Sequence, residues 1–264
     1  MKHSETWATS NQHIGRTIHV YDCVESTNTL ALELAEGDNS DGLVVVAKVQ
    51  TAGRGQHGRF WLSPPGTSVL MSVILLPPSF LCRASVLTGL AAVSVCEALE
   101  ELVELSATIK WPNDILVDGK KLAGILTEAC CDSDRVHYVI LGIGVNLNYR
   151  LAAMPMEIRA RATSVAELTG KSVSRESFLR RLIHDLDRCY GELEEAGFGS
   201  LAPRWEGHFG LRDQRVRVVL FDQIVTGWAR GIDRDGALLV EDDQGRTQRV
   251  IAGDVIPFYV NPAS

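Results

Sequence analysis

The segment Gln50-Thr51-Ala52-Gly53-Arg54-Gly55-Gln56-His57-Gly58-Arg59-Phe60-Trp61 separates two fold classes. It follows an apolar run, Leu43 to Val49, that predicts a buried strand. Glycines 53, 55 and 58 satisfy the Gly-x-Gly-x-x-Gly spacing of a dinucleotide-binding turn, but that motif has to open an amphipathic helix. Here Ser63-Pro64-Pro65-Gly66 breaks the chain, and a second apolar strand, Ser68 to Leu76, begins. Nor does a Gly-Lys-Ser/Thr close the loop, so it is not a P-loop. Strand–loop–strand replaces strand–loop–helix, which argues for an α+β fold with mostly hairpin-linked strands. Glycine lets a backbone come close to a ligand, and Arg54 and Arg59 offer planar donor forks to carboxylate or phosphate. The segment therefore reads as a flexible cationic lid over an anion.

The chain has 264 residues, enough for one large unit and a small one. Its 26 Lys and Arg against 33 Asp and Glu give a net charge of −7, which argues against a general nucleic-acid surface. The histidines show no His-Glu-x-x-His or paired ligand spacing, so no metal centre is predicted. The six cysteines (Cys23, Cys82, Cys96, Cys130, Cys131, Cys189) have no CxxC spacing and are expected as buried thiols in a reducing compartment. Residues 1–16 lack the apolar core of a signal peptide, and the longest apolar run, Val86 to Leu99, is too short to span a bilayer. A cytoplasmic protein is expected.

Along the chain, Thr17 to Cys23 predicts a strand. Ser26-Thr27-Asn28 opens a helix, either as an N-cap or as hydroxyls and free N–H groups facing a polar ligand. Ala84 to Val103 is apolar nearly all round and predicts a buried helix. Thr108 to Val117 reads as strand, Trp-Pro corner and strand, with Asp118-Gly119 as a hairpin turn and Lys120 to Glu128 returning. Tyr138 to Asn148 is a strand whose Gly142 and Gly144 lie on one face, where something comes close to the backbone. Arg175 to Glu195 is an amphipathic helix, and Ala202 to Phe209 continues helically. From Arg215 the chain turns to short strands: Val216–Phe221, Ile224–Ile232, Ala237–Glu241 and Thr247–Ile251. The expected organisation is a flexible segment over 1–16, a catalytic unit over 17–212 and a small β-barrel over 213–264.

The polar special residues fall at strand ends and loops, where function concentrates. They are cationic and amide-rich, and no nucleophile is paired with a base, which suits phosphoryl or adenylyl transfer. Six motifs in order carry a resemblance: Ser-Thr-Asn at 26–28, Gln-Thr-Ala-Gly-Arg-Gly-x-x-Gly-Arg-x-Trp at 50–61 and Lys-Trp-Pro-Asn-Asp at 110–114. The others are Lys-Leu-Ala-Gly-Ile-Leu-x-Glu at 121–128, Gly-x-Gly-x-Asn at 142–146 and Arg-Gly-Ile-Asp-x-x-Gly-Ala-Leu at 230–238. The chain resembles the biotin protein ligases, which activate biotin with ATP and attach it to a lysine of a carboxyl-carrier domain.

The resemblance implies a mixed β-sheet flanked by helices, like the class II aminoacyl-tRNA synthetases, with an SH3-like barrel after it. It implies biotin binding by Ser26, Thr27, Asn28, Gln50, Arg54, Gly55, Gln56, Lys121, Gly124, Gly142 and Gly144. Nucleotide binding falls to Arg54, Gln56, Arg59, Trp61, Asn113 and Asn146, with the tryptophan on the adenine side. Lys121 and Arg54 are the implied catalytic cations, and Mg²⁺ accompanies ATP without a direct ligand motif. The implied partner is the biotin carboxyl carrier protein of acetyl-CoA carboxylase, with no DNA and no membrane expected; a homodimer is left open.

Two departures stand out. Some members carry an N-terminal winged helix that binds DNA; the residues before the first strand here are too few, so a monofunctional ligase is expected. The family loop usually reads Gly-Arg-Gly-Arg, whereas position 56 is glutamine. A lipoate or octanoyl ligase or transferase of similar fold is the enzymatic alternative, and a non-catalytic biotin-binding protein the other.

Overall fold

The computed structural model describes residues 3–37, 39–77, 83–132, 136–220 and 223–258. Cys82 and the expected strand end at Phe221 lie outside them. Strands β1 (His3–Ala8), β2 (Thr17–Val24), β3 (Val44–Gln50), β4 (Ser68–Leu75), β5 (Thr108–Lys110), β6 (Asp114–Val117), β7 (Lys120–Cys131) and β8 (Val136–Asn146) form one sheet. Its order is β1-β2-β3-β4-β8-β7-β6-β5. Only β2 and β3 run parallel, joined by helix α1 (Thr27–Ala35); the remaining neighbours are antiparallel. The mixed, helix-flanked sheet is the one expected. The flexible N-terminal segment is a correction: residues 3–8 pair with β2 as an edge strand, and Trp7 lies under the Arg180 guanidinium at 4.6 Å.

Period-two alternation divides the sheet into two faces. Val44, Val46, Val69, Met71, Val73, Leu141, Ile143 and Val145 point into the main core. Helix α2 (Ala84–Val103) covers that face with 13 of its 20 residues buried, together with α5 (Arg175–Ala196). On the other face, Val45, Ala47, Ile74 and Ile140 meet Leu30, Ala31 and Ala35 of α1 in a smaller cluster. Helix α1 has only nine residues and leaves part of this face uncovered. Cross-strand register fixes what lies there: Ser72 pairs with Gly142, which pairs with Leu126, and Leu70 pairs with Gly144, which pairs with Gly124. With no side chains at positions 142 and 144 of β8 and 124 of β7, the uncovered part of the face is a trough floored by glycine.

The three short helices α3 (Met156–Arg159), α4 (Val165–Thr169) and α6 (Ala202–His208) complete the main unit. Beyond it, β9 (Arg215–Val219), β10 (Ile224–Ile232), β11 (Leu238–Glu241), β12 (Thr247–Val250) and β13 (Asp254–Pro257) form an antiparallel sheet ordered β12-β11-β10-β9-β13. Strand β13 was not among the expected strands; its Asp-Val-Ile-Pro ends in proline, which breaks a strand pattern. This sheet touches the main unit through its Asp233–Gly236 turn. Trp111 Nε1 donates to Gly236 O at 3.1 Å, and Ser85 Oγ donates to Asp235 O at 2.6 Å.

The cysteine expectation also needs correction. Cys96 and Cys189 are buried, but Cys23 and Cys131 are exposed and Cys130 is half-buried; all five are free thiols. Burial pushes the thiols of Cys96 and Cys189 upward and keeps them protonated. No helix among the described residues is long and apolar enough to cross a membrane.

Candidate active site

All eleven residues expected to bind biotin line one inner pocket over the glycine trough. Its polar end is a connected hydrogen-bond network. Gln50 Oε1 accepts from Thr27 N at 2.7 Å and from Thr27 Oγ1 at 3.0 Å. Ser72 Oγ, fully buried, lies 2.8 Å from Thr27 Oγ1 and 2.6 Å from Asn28 Oδ1. It has a single proton and can give it to one of the two at a time. Asn28 Nδ2 donates to Leu126 O at 3.3 Å and to Glu128 Oε2 at 2.8 Å. Ser26 occupies the N-cap position of α1, yet its side chain makes no capping bond and lines the pocket. The simple N-cap explanation of Ser26 therefore does not hold.

The glycines of the floor owe their identity to neighbouring side chains. A Cβ on Gly142 would stand 2.1 Å from Asn28 Oδ1, and one on Gly144 would stand 2.6 Å from the Trp61 ring. A Cβ on Gly124 would also meet Trp61, at 2.8 Å. The Trp61 ring thus covers Gly124 and Gly144 of the trough, and Lys121 Nζ sits 5.5 Å from its ring centroid.

The cationic end is supplied by the loop and by β7. Arg54 Nη2 donates to Glu128 Oε1 at 2.6 Å, and Lys121 Nζ pairs with Asp114 Oδ1 at 2.5 Å. The loop itself is a tight hairpin: Trp61 N donates to Gly53 O at 2.9 Å and Gly55 N to Arg59 O at 2.8 Å. Its tip places His57 and Gly58 at positive φ, 55° and 71°. Arg59, expected at the nucleotide, here reaches Asp254 of β13 at 2.5 Å, with its side chain 63% exposed. Asn113 Nδ2 donates to Ile125 O at 2.8 Å, tying the Trp-Pro corner to β7.

Trp61 and Lys121 also line a second, outer cleft of about 930 Å³, together with Arg59, Asp114 and Asn146. That volume lies in the range of small-molecule sites, roughly 300–1,000 Å³. Two buried polar atoms beside the cleft have no partner among the described residues: Asn146 Oδ1 and Trp61 Nε1. The other Asn146 amide atom is held, Nδ2 donating to Thr163 O at 3.0 Å. Buried polar groups of folded proteins are normally satisfied, so these two point to a ligand or water. Burial pushes the neighbouring Tyr149 hydroxyl up to about 12, so it stays neutral. Among the described residues no group of three His, Cys, Asp or Glu could cage a metal ion.

Sequence reasoning missed Ser72 and gave Glu128 no role. Ser72 sits in an apolar strand without a motif of its own; only its register opposite Gly142 reveals it. Among the described residues no serine, threonine or cysteine of the pocket is bonded to a histidine. A polar recognition end, a cationic end and an adjoining cleft of nucleotide size are what a ligase that activates an acid with a nucleotide requires.

Comparison with known proteins gives the particular family. The Biotin/lipoate A/B protein ligase family pattern matches residues 20–146, and the biotin protein ligase C-terminal domain pattern matches residues 213–256. The chain is 36% identical to the bifunctional ligase/repressor BirA of Bacillus subtilis, over 92% of this chain and 74% of that one. It is 35% identical to the biotin–[acetyl-CoA-carboxylase] ligase of Mycobacterium tuberculosis, over 88% and 85%. Among solved structures, the biotin protein ligase of Aquifex aeolicus in complex with biotin and ATP superposes with a TM-score of 0.79 at 30% identity, covering 91% of this chain and 98% of that one. The chain belongs to the biotin protein ligase family.

Proposed function

We propose that this chain joins biotin to ATP, forming biotinyl-5′-adenylate and pyrophosphate, and then passes the biotinyl group to a lysine of a carboxyl-carrier protein. The observation that supports it best is the pairing of a hydroxyl–amide network with two oriented cations, Arg54 and Lys121, of which Lys121 also borders the nucleotide-sized cleft. A ureido ring needs both donors and acceptors, and Ser26, Thr27, Gln50 and the Asn28-anchored network offer both. Arg54 meets the biotin carboxylate, and Lys121 stands between that carboxylate and the α-phosphate.

In the first step a carboxylate oxygen attacks the α-phosphorus and the bond to the β-phosphate oxygen breaks. Two anions have to approach, so the positive charge of Arg54 and Lys121 lowers the barrier in a site shielded from water. Lys121 has to turn from Asp114, a partly exposed partner that it can leave at little cost. Mg²⁺ accompanying ATP would supply further charge neutralisation. In the second step the neutral lysine amine attacks the acyl carbonyl, and AMP leaves. Trp61, Asn113 and Asn146 hold the nucleotide, and the Gly53–Gly58 hairpin shields the mixed anhydride from hydrolysis. The acceptor follows the Mycobacterium tuberculosis relative, whose name gives acetyl-CoA carboxylase as its substrate.

The test is pyrophosphate release that requires both biotin and MgATP, followed by avidin-detected labelling of a carrier domain. Release driven by lipoate or octanoate in place of biotin would overturn the assignment. Biotin binding without pyrophosphate release would overturn catalysis.

A further inference from the structure

Glu128 ends the motif Lys-Leu-Ala-Gly-Ile-Leu-x-Glu, and its two carboxylate oxygens serve two different site residues. Oε2 accepts from Asn28 Nδ2 at 2.8 Å, and Oε1 accepts from Arg54 Nη2 at 2.6 Å. The Arg54 and Glu128 side chains are 43% and 25% exposed, so the pair is partly solvated and weak enough to exchange. Arg54 is also the guanidinium that meets the ligand's carboxylate. A ligand anion taking the same N–H group competes directly with Glu128.

We propose that Glu128 is a positioning residue with two tasks: it anchors Asn28 throughout, and it holds Arg54 until a ligand carboxylate takes the guanidinium away. The idea rests on the biotin-ligase assignment of this site. Glu128 is suited to giving up Arg54 because it is not stranded afterwards. It keeps its bond to Asn28, and it borders an adjoining cavity of about 390 Å³, which Arg54 also lines, where water can solvate the vacated oxygen. The arrangement keeps Arg54 aimed at the pocket without leaving an uncompensated cation there between turnovers.

Calorimetric titration with biotin and with uncharged biotin methyl ester tests this. Glu128→Gln keeps an amide oxygen for Asn28 but no longer attracts Arg54. It should tighten biotin about twofold to fivefold, the range for losing a competing partly exposed ion pair, and leave the methyl ester unchanged. In an Arg54→Ala background the same substitution should have no effect on biotin, because the coupling runs through Arg54. Equal changes for both ligands would reduce Glu128 to a support for Asn28 and overturn the proposal. A gain that survives Arg54→Ala would mean a general field effect, and weaker or unchanged biotin binding by Glu128→Gln would mean no competition; both overturn it. If the wild-type chain binds neither ligand, the biotin-ligase assignment itself fails, and this inference with it.

Discussion

Gly142→Ala should injure biotin binding far more than the size of one methyl group suggests. The added Cβ would stand 2.1 Å from Asn28 Oδ1, and side-chain carbons essentially never approach closer than 3.0 Å, so the amide has to retreat by about 0.9 Å. It has nowhere neutral to go. Its Oδ1 is held 2.6 Å from Ser72 Oγ and its Nδ2 2.8 Å from Glu128, and a shift of that size stretches or breaks both contacts. One is a neutral hydrogen bond worth about 0.5–1.5 kcal/mol and the other is charge-assisted, worth about 1.5–3 kcal/mol. Partial relaxation leaves an expected loss of about 2–3 kcal/mol in the pocket, or roughly 30- to 150-fold in biotin affinity. The assay is calorimetric biotin binding beside the KM for biotin in pyrophosphate release, with a thermal melt confirming a folded protein. A folded Gly142→Ala variant that binds biotin within about twofold of the wild type would refute the reasoning, because Asn28 would then not shape the pocket.

Other expectations follow from the same geometry. Lys121→Ala should slow biotin-dependent pyrophosphate release by roughly 30- to 1,000-fold, since an oriented cation at the reacting oxygens is worth on the order of 2–4 kcal/mol; retention of more than about a third of the rate would make Lys121 a mere partner of Asp114. Gln56→Arg should slow release of preformed adenylate by about tenfold or more, as a charge-assisted bond to the intermediate replaces a neutral one, and stopped-flow release at equal rates would remove position 56 from contact with it. At Asp233, burial alone would raise the carboxyl, but Arg249 and the N–H groups of Ala237 and Asp235 hold it below its ordinary value. Its stabilising contribution is therefore present above the unfolded carboxylate value of about 3.9 and lost as pH falls through the lower folded value. Asp233→Asn should lower the melting temperature at neutral pH, with the gap closing toward pH 2; a constant gap would mean that charge is not involved.

Much of the pocket was legible in the sequence because its chemistry is written in contiguous motifs. The residues at 26–28, 50–56, 121–124 and 142–144 converge because β-strand alternation and register leave few other arrangements once each motif sits at a strand end. What the sequence hid depends on distant pairing. Ser72 becomes part of the site only through its register opposite Gly142, and nothing in Ser-Val-Leu-Met-Ser-Val-Ile-Leu distinguishes it from a tolerated core serine. The Arg59–Asp254 contact could not be foreseen, because its two partners lie nearly two hundred positions apart and Asp254 stands on a strand too short to be recognised. The edge strand at residues 3–8 was missed because its polar face is solvated and its apolar content is low. The two exposed cysteines show that an apolar neighbourhood in sequence does not fix which side of a strand a thiol takes.

The attachment of the C-terminal sheet constrains how this enzyme can be recombined with its relatives. The turn Asp233–Gly236 receives Trp111 from the Trp-Pro corner and Ser85 and Arg83 from the start of α2, while Asp254 on β13 receives Arg59 from the glycine–arginine hairpin. Three separated parts of the main unit, two of them bearing site residues, therefore take their partners from one small sheet. Exchanging that sheet for a homologous one would leave each half folded in outline but mismatched at the seam. Both sides of the seam have to be transplanted together, so in a chimera of two ligases the crossover belongs inside the main unit or at the far end of the barrel, and not in the linker that joins them.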